Sequence, residues 1–149
     1  MKIMPKVFKI GIAKNNGQPI KEIDYINLIA GKGIVGDRFF CDENESRSQL
    51  TLIEKEKIDI YNEKFKLNLD YLDFRRNIIT QNIELNYFVN KKLKIGEAVL
   101  LGIDLCRPCR HLQELIGQEN VIKEFLRSGG LRCQIIKSGK IKLNDNLHY

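Results

Sequence analysis

The chain has no tryptophan, and only two histidines, two methionines and three prolines stand among its 149 residues. It also lacks any apolar run close to the ~20 residues a bilayer needs, so no membrane span is expected. Its opening residues, MKIMPKVFKI, hold neither the continuous apolar stretch nor the small-residue cleavage site of a secretory signal, and a cytoplasmic protein is expected. Low-complexity tracts, long linkers and internal repeats are absent as well. Hydrophobic residues make up 43% and charged residues 30%, a balance that excludes intrinsic disorder. One globular domain over residues 1–149 is the simplest reading, and it is long enough to bury a core without disulfide staples.

Charge of one sign is not concentrated anywhere. The 25 basic and 19 acidic residues give a net charge of +6. Successive thirds of the chain carry excesses of +2, +1 and +3, counted as 8 against 6, 9 against 8 and 8 against 5. A nucleic-acid footprint is a concentrated stripe, so no specific nucleic acid is expected as a partner. The basic balance still favours anionic ligands, phosphates included.

Alternation marks most of the elements. Phe8, Ile10 and Ile12 read as a half-buried strand, followed by the turn residues Asn15-Asn16-Gly17 and a second strand from Ile23 to Leu28. A glycine-punctuated loop follows, and Gln49 to Ile53 is a further strand. Ile58, Tyr61 and Phe65 then fall at helical spacing, predicting a helix from about Glu54 to Lys64. Asn77 to Thr80, Leu93 to Ile95, and Val99 to Leu105 are strand-like, and a short helix is expected over Asn120 to Leu126. Ser128-Gly129-Gly130 stops it. Leu131, Cys133 and Ile135 alternate again, and the last strand is expected from Ile141 to Leu147. The pattern predicts a mainly β fold with a few short helices, a curled, mostly antiparallel sheet or barrel.

Four cysteines are present: Cys41, Cys106, Cys109 and Cys133. In a reducing compartment such residues are free thiols, metal ligands or redox groups before they are bridges. Cys106-Arg107-Pro108-Cys109-Arg110 places two thiols beside two arginines in a turn at a strand end. Neighbouring cations favour thiolate, which can act as nucleophile, persulfide carrier or soft metal ligand. A thioredoxin-like motif lacks its βαβ surroundings here. A zinc site completed by His111, Cys41 or Cys133 lacks a second paired motif, and plain packing also suits free cysteine. For Cys109 function and packing stand level on the residues alone, whereas Cys106 and Cys133 lean to packing and Cys41 is incidental. His111 and His148 form no pattern.

Two further segments invite an anion. In Gly31-Lys32-Gly33-Ile34-Val35-Gly36-Asp37-Arg38 the glycines let backbone approach a ligand, and Lys32 or Arg38 could add charge; as a bare pattern a structural turn is the safer reading. In Arg75-Arg76-Asn77 an extended backbone would turn Arg75 and Asn77 to one side and Arg76 to the other, a solvated surface strand being the plainer reading.

Taken in order, Gly33-Ile34-Val35-Gly36-Asp37-Arg38, Gln49-Leu50-Thr51-Leu52-Ile53-Glu54 and Arg75-Arg76-Asn77-Ile78 resemble the MOSC domain family, named for the C-terminal module of molybdenum-cofactor sulfurases. Leu93-Lys94-Ile95-Gly96-Glu97-Ala98-Val99-Leu100, Arg107-Pro108-Cys109-Arg110-His111-Leu112 and Gly130-Leu131-Arg132-Cys133-Gln134-Ile135 continue the resemblance, which runs over residues 20–147. It implies a curled, barrel-like β fold and a stand-alone small protein of that family. It implies a molybdenum–pterin cofactor, with Cys109 as metal ligand or persulfide carrier. Arg75 and Asn77 match pterin- and phosphate-contacting positions, Asp37 and Arg38 match a Gly-Asp-Arg signature, and Lys32 is a further phosphate contact. The implied chemistry is reduction of N-hydroxylated compounds or sulfur transfer to a molybdoenzyme. Partners would then be an electron-donor protein, a sulfur donor or a client molybdoenzyme. No pyridoxal-phosphate site is seen, and Cys106 could resolve a persulfide on Cys109 as a disulfide. The competing class is a non-catalytic zinc or nucleic-acid-binding module.

Overall fold

The computed structural model describes residues 3–148. Eleven strands form two sheets among these residues. They are β1 (Lys6–Ile12), β2 (Lys21–Glu22), β3 (Tyr25–Ile29), β4 (Gly33–Ile34), β5 (Leu50–Glu54), β6 (Ile78–Gln81), β7 (Lys92–Ile95), β8 (Ala98–Leu105), β9 (Leu131–Lys137), β10 (Gly139–Lys142) and β11 (Leu147–His148). The larger sheet runs β11-β7-β8-β9-β5-β6-β1-β2, and the smaller runs β10-β3-β4. Three α-helices join them: α1 (Lys55–Phe65), α2 (Arg110–Ile116) and α3 (Val121–Glu124).

The mainly β, curled architecture read from the alternation is the one the chain adopts. The strand ladder does not close, yet the start of β1 bends back to the segment preceding β11. The Val7 N–H donates to the Asp145 carbonyl at 2.9 Å, and the Leu147 N–H donates to the Pro5 carbonyl at 3.2 Å. All strand pairs are antiparallel except β5 with β6, which run parallel in the register Leu52–Ile78 and Ile53–Ile79. A parallel pair needs a crossover, and α1 supplies it.

The period of two divides the core. Leu52 and Ile78 turn into the concave side of the sheet with Ile10, Leu100, Leu131 and Ile135. Their neighbours Ile53 and Ile79 turn outward, where Ile58 and Tyr61 of α1 pack with Phe74 and Phe125. The two central strands are thus buried on both faces, which explains their unbroken apolar runs. Gly130, at φ 111°, lies against the Leu52 backbone, and a Cβ there would collide with the Leu52 carbonyl oxygen. This glycine therefore does more than stop a helix: it admits β9 to the side of β5.

Three elements differ from the sequence expectation. The segment after Cys109 is helical, because Leu112 and Ile116 fall one turn apart and both face the outer core. Helix α3 is shorter than expected, ending at Glu124. The expected last strand from Ile141 to Leu147 is split at Asn144, whose φ of 69° breaks the extended backbone, and its halves join different sheets.

Glu54 ends β5 with its side chain buried. Burial raises its carboxyl above the ordinary carboxylate range, and the hydrogen bond from the Leu85 N–H at 3.4 Å opposes this only in part. A raised folded value means that stability linked to this group is fully present below the unfolded value of about 4.3 and is lost as pH rises through the folded value. Glu54→Gln keeps an acceptor for Leu85 and removes that loss. Urea denaturation is expected to give equal stabilities near pH 4 and a variant more stable by about 1 kcal/mol near pH 8; a gap that does not change with pH would contradict the assignment.

Candidate functional site

The Gly33–Arg38 loop is built around one buried carboxylate. Gly33 and Gly36 take positive φ, which turns the chain twice and brings the Asp37 side chain inward. Asp37 Oδ1 accepts the Ala13 N–H at 3.1 Å and the Arg38 guanidinium at 3.1 Å, while Oδ2 accepts the Phe39 N–H at 3.4 Å. Asp37 therefore organises the loop and holds Arg38. Burial lowers the Arg38 guanidinium from its ordinary value; Asp37 opposes that, and the neighbouring charge of Arg75 adds to it.

A 3-10 turn over Tyr71–Phe74 delivers the next pair. Asp70 and Asp73 cap it reciprocally, with Asp70 accepting the Leu72 N–H at 3.0 Å and Asp73 accepting the Asp70 N–H at 2.9 Å. The turn closes on Arg75 in the left-handed conformation, φ 61° and ψ 32°. That break in the extended backbone corrects the sequence expectation that the two arginines diverge: Arg75 and Arg76 both line the same cavity. Arg75 donates to the Gln18 carbonyl at 2.8 Å, and Arg76 Nε donates to the Gly129 carbonyl at 2.9 Å.

Asn77 lies beside them with its amide already engaged. Its Oδ1 accepts from the Thr51 N–H and hydroxyl, each at 3.2 Å, and its Nδ2 donates to the Gly11 carbonyl at 3.2 Å. One amide hydrogen is left for a ligand. Its main work is to tie the start of β5 to the end of β1.

β8 then leads into the cysteine segment. The Cys106 N–H donates to the Gly130 carbonyl at 2.7 Å. The Cys106 side chain is 2% exposed, and burial raises its thiol despite the nearby Arg76 and Arg132. Such a thiol is a poor nucleophile, although Cys106 lines the same cavity as Cys109. Cys109 stands at the N-cap of α2, exposed, with its Sγ accepting the Leu112 N–H at 3.4 Å. Cys133 is fully buried in the inner core, where desolvation pushes its thiol up strongly. Cys41 is exposed and lies away from this cavity.

These segments enclose a cavity of about 330 Å³. Arg38, Arg47, Arg75, Arg76, Arg107 and Arg132 line it, with Thr51, Asn77, His111 and Cys109, and no carboxylate faces it. Cys106 lines it as well, and six guanidiniums around the two thiols suit an anion. Lys32 is not part of it; its ammonium points to Asp42 at 3.4 Å on the surface. Arg47, Arg76 and Arg132 were not singled out from sequence. Arg132 was findable from strand pairing, since it stands opposite Thr51 in the β5–β9 register, but no local pattern marks Arg47. Among the described residues no group of three or more His, Cys, Asp or Glu side chains could hold a metal ion, so His111, Cys41 and Cys133 do not complete a zinc site with Cys109.

A family model described as the MOSC domain matches residues 31–148. Among solved structures the chain is similar to the YuaD protein from Bacillus subtilis, at 17% identity and TM-score 0.80, covering 97% of this chain and 94% of that one. It is also similar to YiiM from Geobacillus stearothermophilus, at 12% identity and TM-score 0.77, covering 96% of this chain and 73% of that one. YiiM from Escherichia coli is similar at 18% identity and TM-score 0.71, covering 99% of this chain and 69% of that one. At these identities the likeness is one of fold. No curated protein matches the chain.

Two outcomes check this geometry. Asp37→Ala leaves two backbone N–H groups and the Arg38 charge without their partner, and chemical denaturation is expected to show a loss of about 3 kcal/mol. Lys32→Ala, by contrast, should stay within about 0.5 kcal/mol of the parent. Brief iodoacetamide treatment of the folded protein should modify Cys41 and Cys109 alone, and all four cysteines after unfolding. Peptide mapping reads this, and rapid labelling of Cys106 in the folded state would contradict its burial.

Proposed function

The chain belongs to the MOSC domain family, which is linked to molybdenum-cofactor binding and sulfur transfer, and from that premise we propose that it holds a molybdenum–pterin cofactor through the Cys109 sulfur. The observation that carries this reading is an exposed thiol on a cavity lined by six arginines and no carboxylate. The residues present suit the group: thiolate is a soft ligand, and guanidiniums take phosphate in bidentate fashion. Cys109 would ligate the metal, and Arg38, Arg75 and Arg76 would hold the phosphate-bearing pterin. When bound, the group supplies two-electron redox chemistry.

The chain's own residues prepare the cavity. Asp37 keeps Arg38 turned inward, and Asn77, two residues after Arg75, ties Thr51 of β5 to Gly11 of β1. Reduction of an N-hydroxylated compound needs two electrons and two protons and releases water, and the electrons would come from a donor protein.

Sulfur transfer is the second reading, favoured by the contrast between the two thiols. A donor persulfide R–S–S⁻ attacked at its outer sulfur by the Cys109 thiolate breaks its S–S bond, forms a new one on Cys109 and releases R–S⁻. With Cys106 buried and held protonated, the persulfide would persist until an acceptor arrives. The sulfur donor and the client molybdoenzyme would then be the partners.

The test is elemental analysis of the protein purified from a host that makes the cofactor, with Cys109→Ser alongside. Near-stoichiometric molybdenum in the parent is expected to vanish in the variant while the melting temperature stays unchanged. Molybdenum retained in the variant would remove Cys109 as ligand, and zinc in its place would favour the zinc-module alternative. Absence of molybdenum with an extra sulfur on Cys109 by intact mass would turn the reading to the sulfur carrier.

A further inference from the structure

The Cys109 cavity holds one surface for which an anion has no use. Among the described residues that line it, only Phe39 and Leu112 have side chains made of hydrocarbon alone. Leu112 is 5% exposed and belongs to the outer core, whereas Phe39 is 48% exposed. A half-exposed phenyl ring keeps apolar area in water, a free-energy cost that burial against a ligand would remove.

Two contacts hold the ring in that position. The Phe39 N–H donates to Asp37 Oδ2 at 3.4 Å, which ties its backbone to the buried carboxylate that organises the loop. The Arg38 guanidinium carbon lies 4.4 Å from the ring centroid, and Arg38 is itself bonded to Asp37 at 3.1 Å. A cation over the ring is attracted to its π face. Phe39 is therefore restrained through both backbone and ring by the same buried carboxylate.

A restrained ring loses little freedom when a ligand settles on it. It also discriminates by shape. A second aromatic ring gains offset or edge-on contact beyond the area it buries, while an alkyl chain gains from area only. The rest of the exposed lining is guanidinium, hydroxyl, amide, imidazole and thiol, so no other side chain of the cavity offers the body of a substrate a comparable hydrocarbon surface.

We propose that Phe39 determines specificity at this site, taking the flat, π-bearing body of the substrate, so that aromatic N-hydroxylated compounds are preferred to aliphatic ones. The inference rests on the reductase reading of the Cys109 cavity. Arg38 then links the two ligands, because the guanidinium assigned to the anionic pterin is also the one that stacks on the substrate platform.

Benzamidoxime and acetamidoxime, with reduced methyl viologen as the electron source, test it on the molybdenum-loaded full chain. The aromatic compound is expected to have a kcat/KM at least about tenfold higher. Phe39→Leu keeps apolar bulk without the flat ring, and should bring the two compounds within about twofold of each other by raising the KM for benzamidoxime. Molybdenum content and melting temperature should match the parent, and Phe39→Tyr should restore the preference. A preference unchanged in Phe39→Leu would overturn the proposal.

Calorimetric titration makes the same comparison without turnover. Benzamidoxime is expected to bind about fivefold more weakly to Phe39→Leu than to the parent. A parent that binds benzamidoxime through Phe39 yet reduces neither compound would sink the reductase reading and keep the ring platform. Turnover that does not depend on Phe39 would do the reverse, and no binding at millimolar benzamidoxime would remove the platform as well.

Discussion

Six like charges around one small cavity are the constraint that orders the rest of this molecule. Two unit charges 4 Å apart repel by about 4 kcal/mol at an effective dielectric of 20, so the cluster stands only if each guanidinium is anchored from behind. Arg38 rests on Asp37, Arg75 on the Gln18 carbonyl, Arg76 on the Gly129 carbonyl, and Arg47 and Arg132 on Asp104. Arg107 alone has neither a carboxylate nor a carbonyl anchor among the described residues. The anchors lie outside the cavity and leave its interior free of negative charge. The positive potential is thus kept for a ligand rather than cancelled within the protein.

The sheet provides the stiffness this needs. β5 and β6 are buried on both faces, so the arginines and Thr51 at their ends are carried by the least mobile part of the chain. Asn77 joins β1, β5 and β6 at one point by its three hydrogen bonds. The cysteine segment is fixed at one end by the Cys106–Gly130 hydrogen bond and at the other by the N-cap of α2. The Cys109 thiol lies between a strand end and a helix start with its sulfur exposed. Burial separates its role from that of Cys106 three residues earlier, since one thiol meets solvent and the other a desolvating wall.

How much of this was legible depended on whether the signal was local. The alternation of Val99, Leu101, Ile103 and Leu105 marked β8, and the spacing of Ile58, Tyr61 and Phe65 marked α1 to within a residue at either end. The glycines around Asp37 pointed to a loop with unusual turns, and positive φ at Gly33 and Gly36 is what makes it. α2 was not seen, because its apolar spacing covers only two turns and follows a proline-containing turn. Arg75 misled for a related reason. A period of two applies only to extended backbone, and one left-handed residue turns both arginines to the same place. The structural bonds of Asn77 were not legible, because Thr51 and Gly11 come from segments 26 and 66 residues away.

The amino-acid sequence by itself determined the class of fold, the position of most strands and the order of motifs that resembles the MOSC family. Each of these rests on spacing between near neighbours, which the backbone periods of helix and strand translate directly. Only the tertiary structure decided which charges meet. Arg47, Arg76 and Arg132 come from segments far apart in the chain, and their local spacing does not turn them toward a common cavity. Strand pairing brings Arg132 opposite Thr51 and Asp104, and burial decides which thiol is held protonated. Charge and desolvation act through distance in space, and distance in space is what the folded chain adds to its sequence.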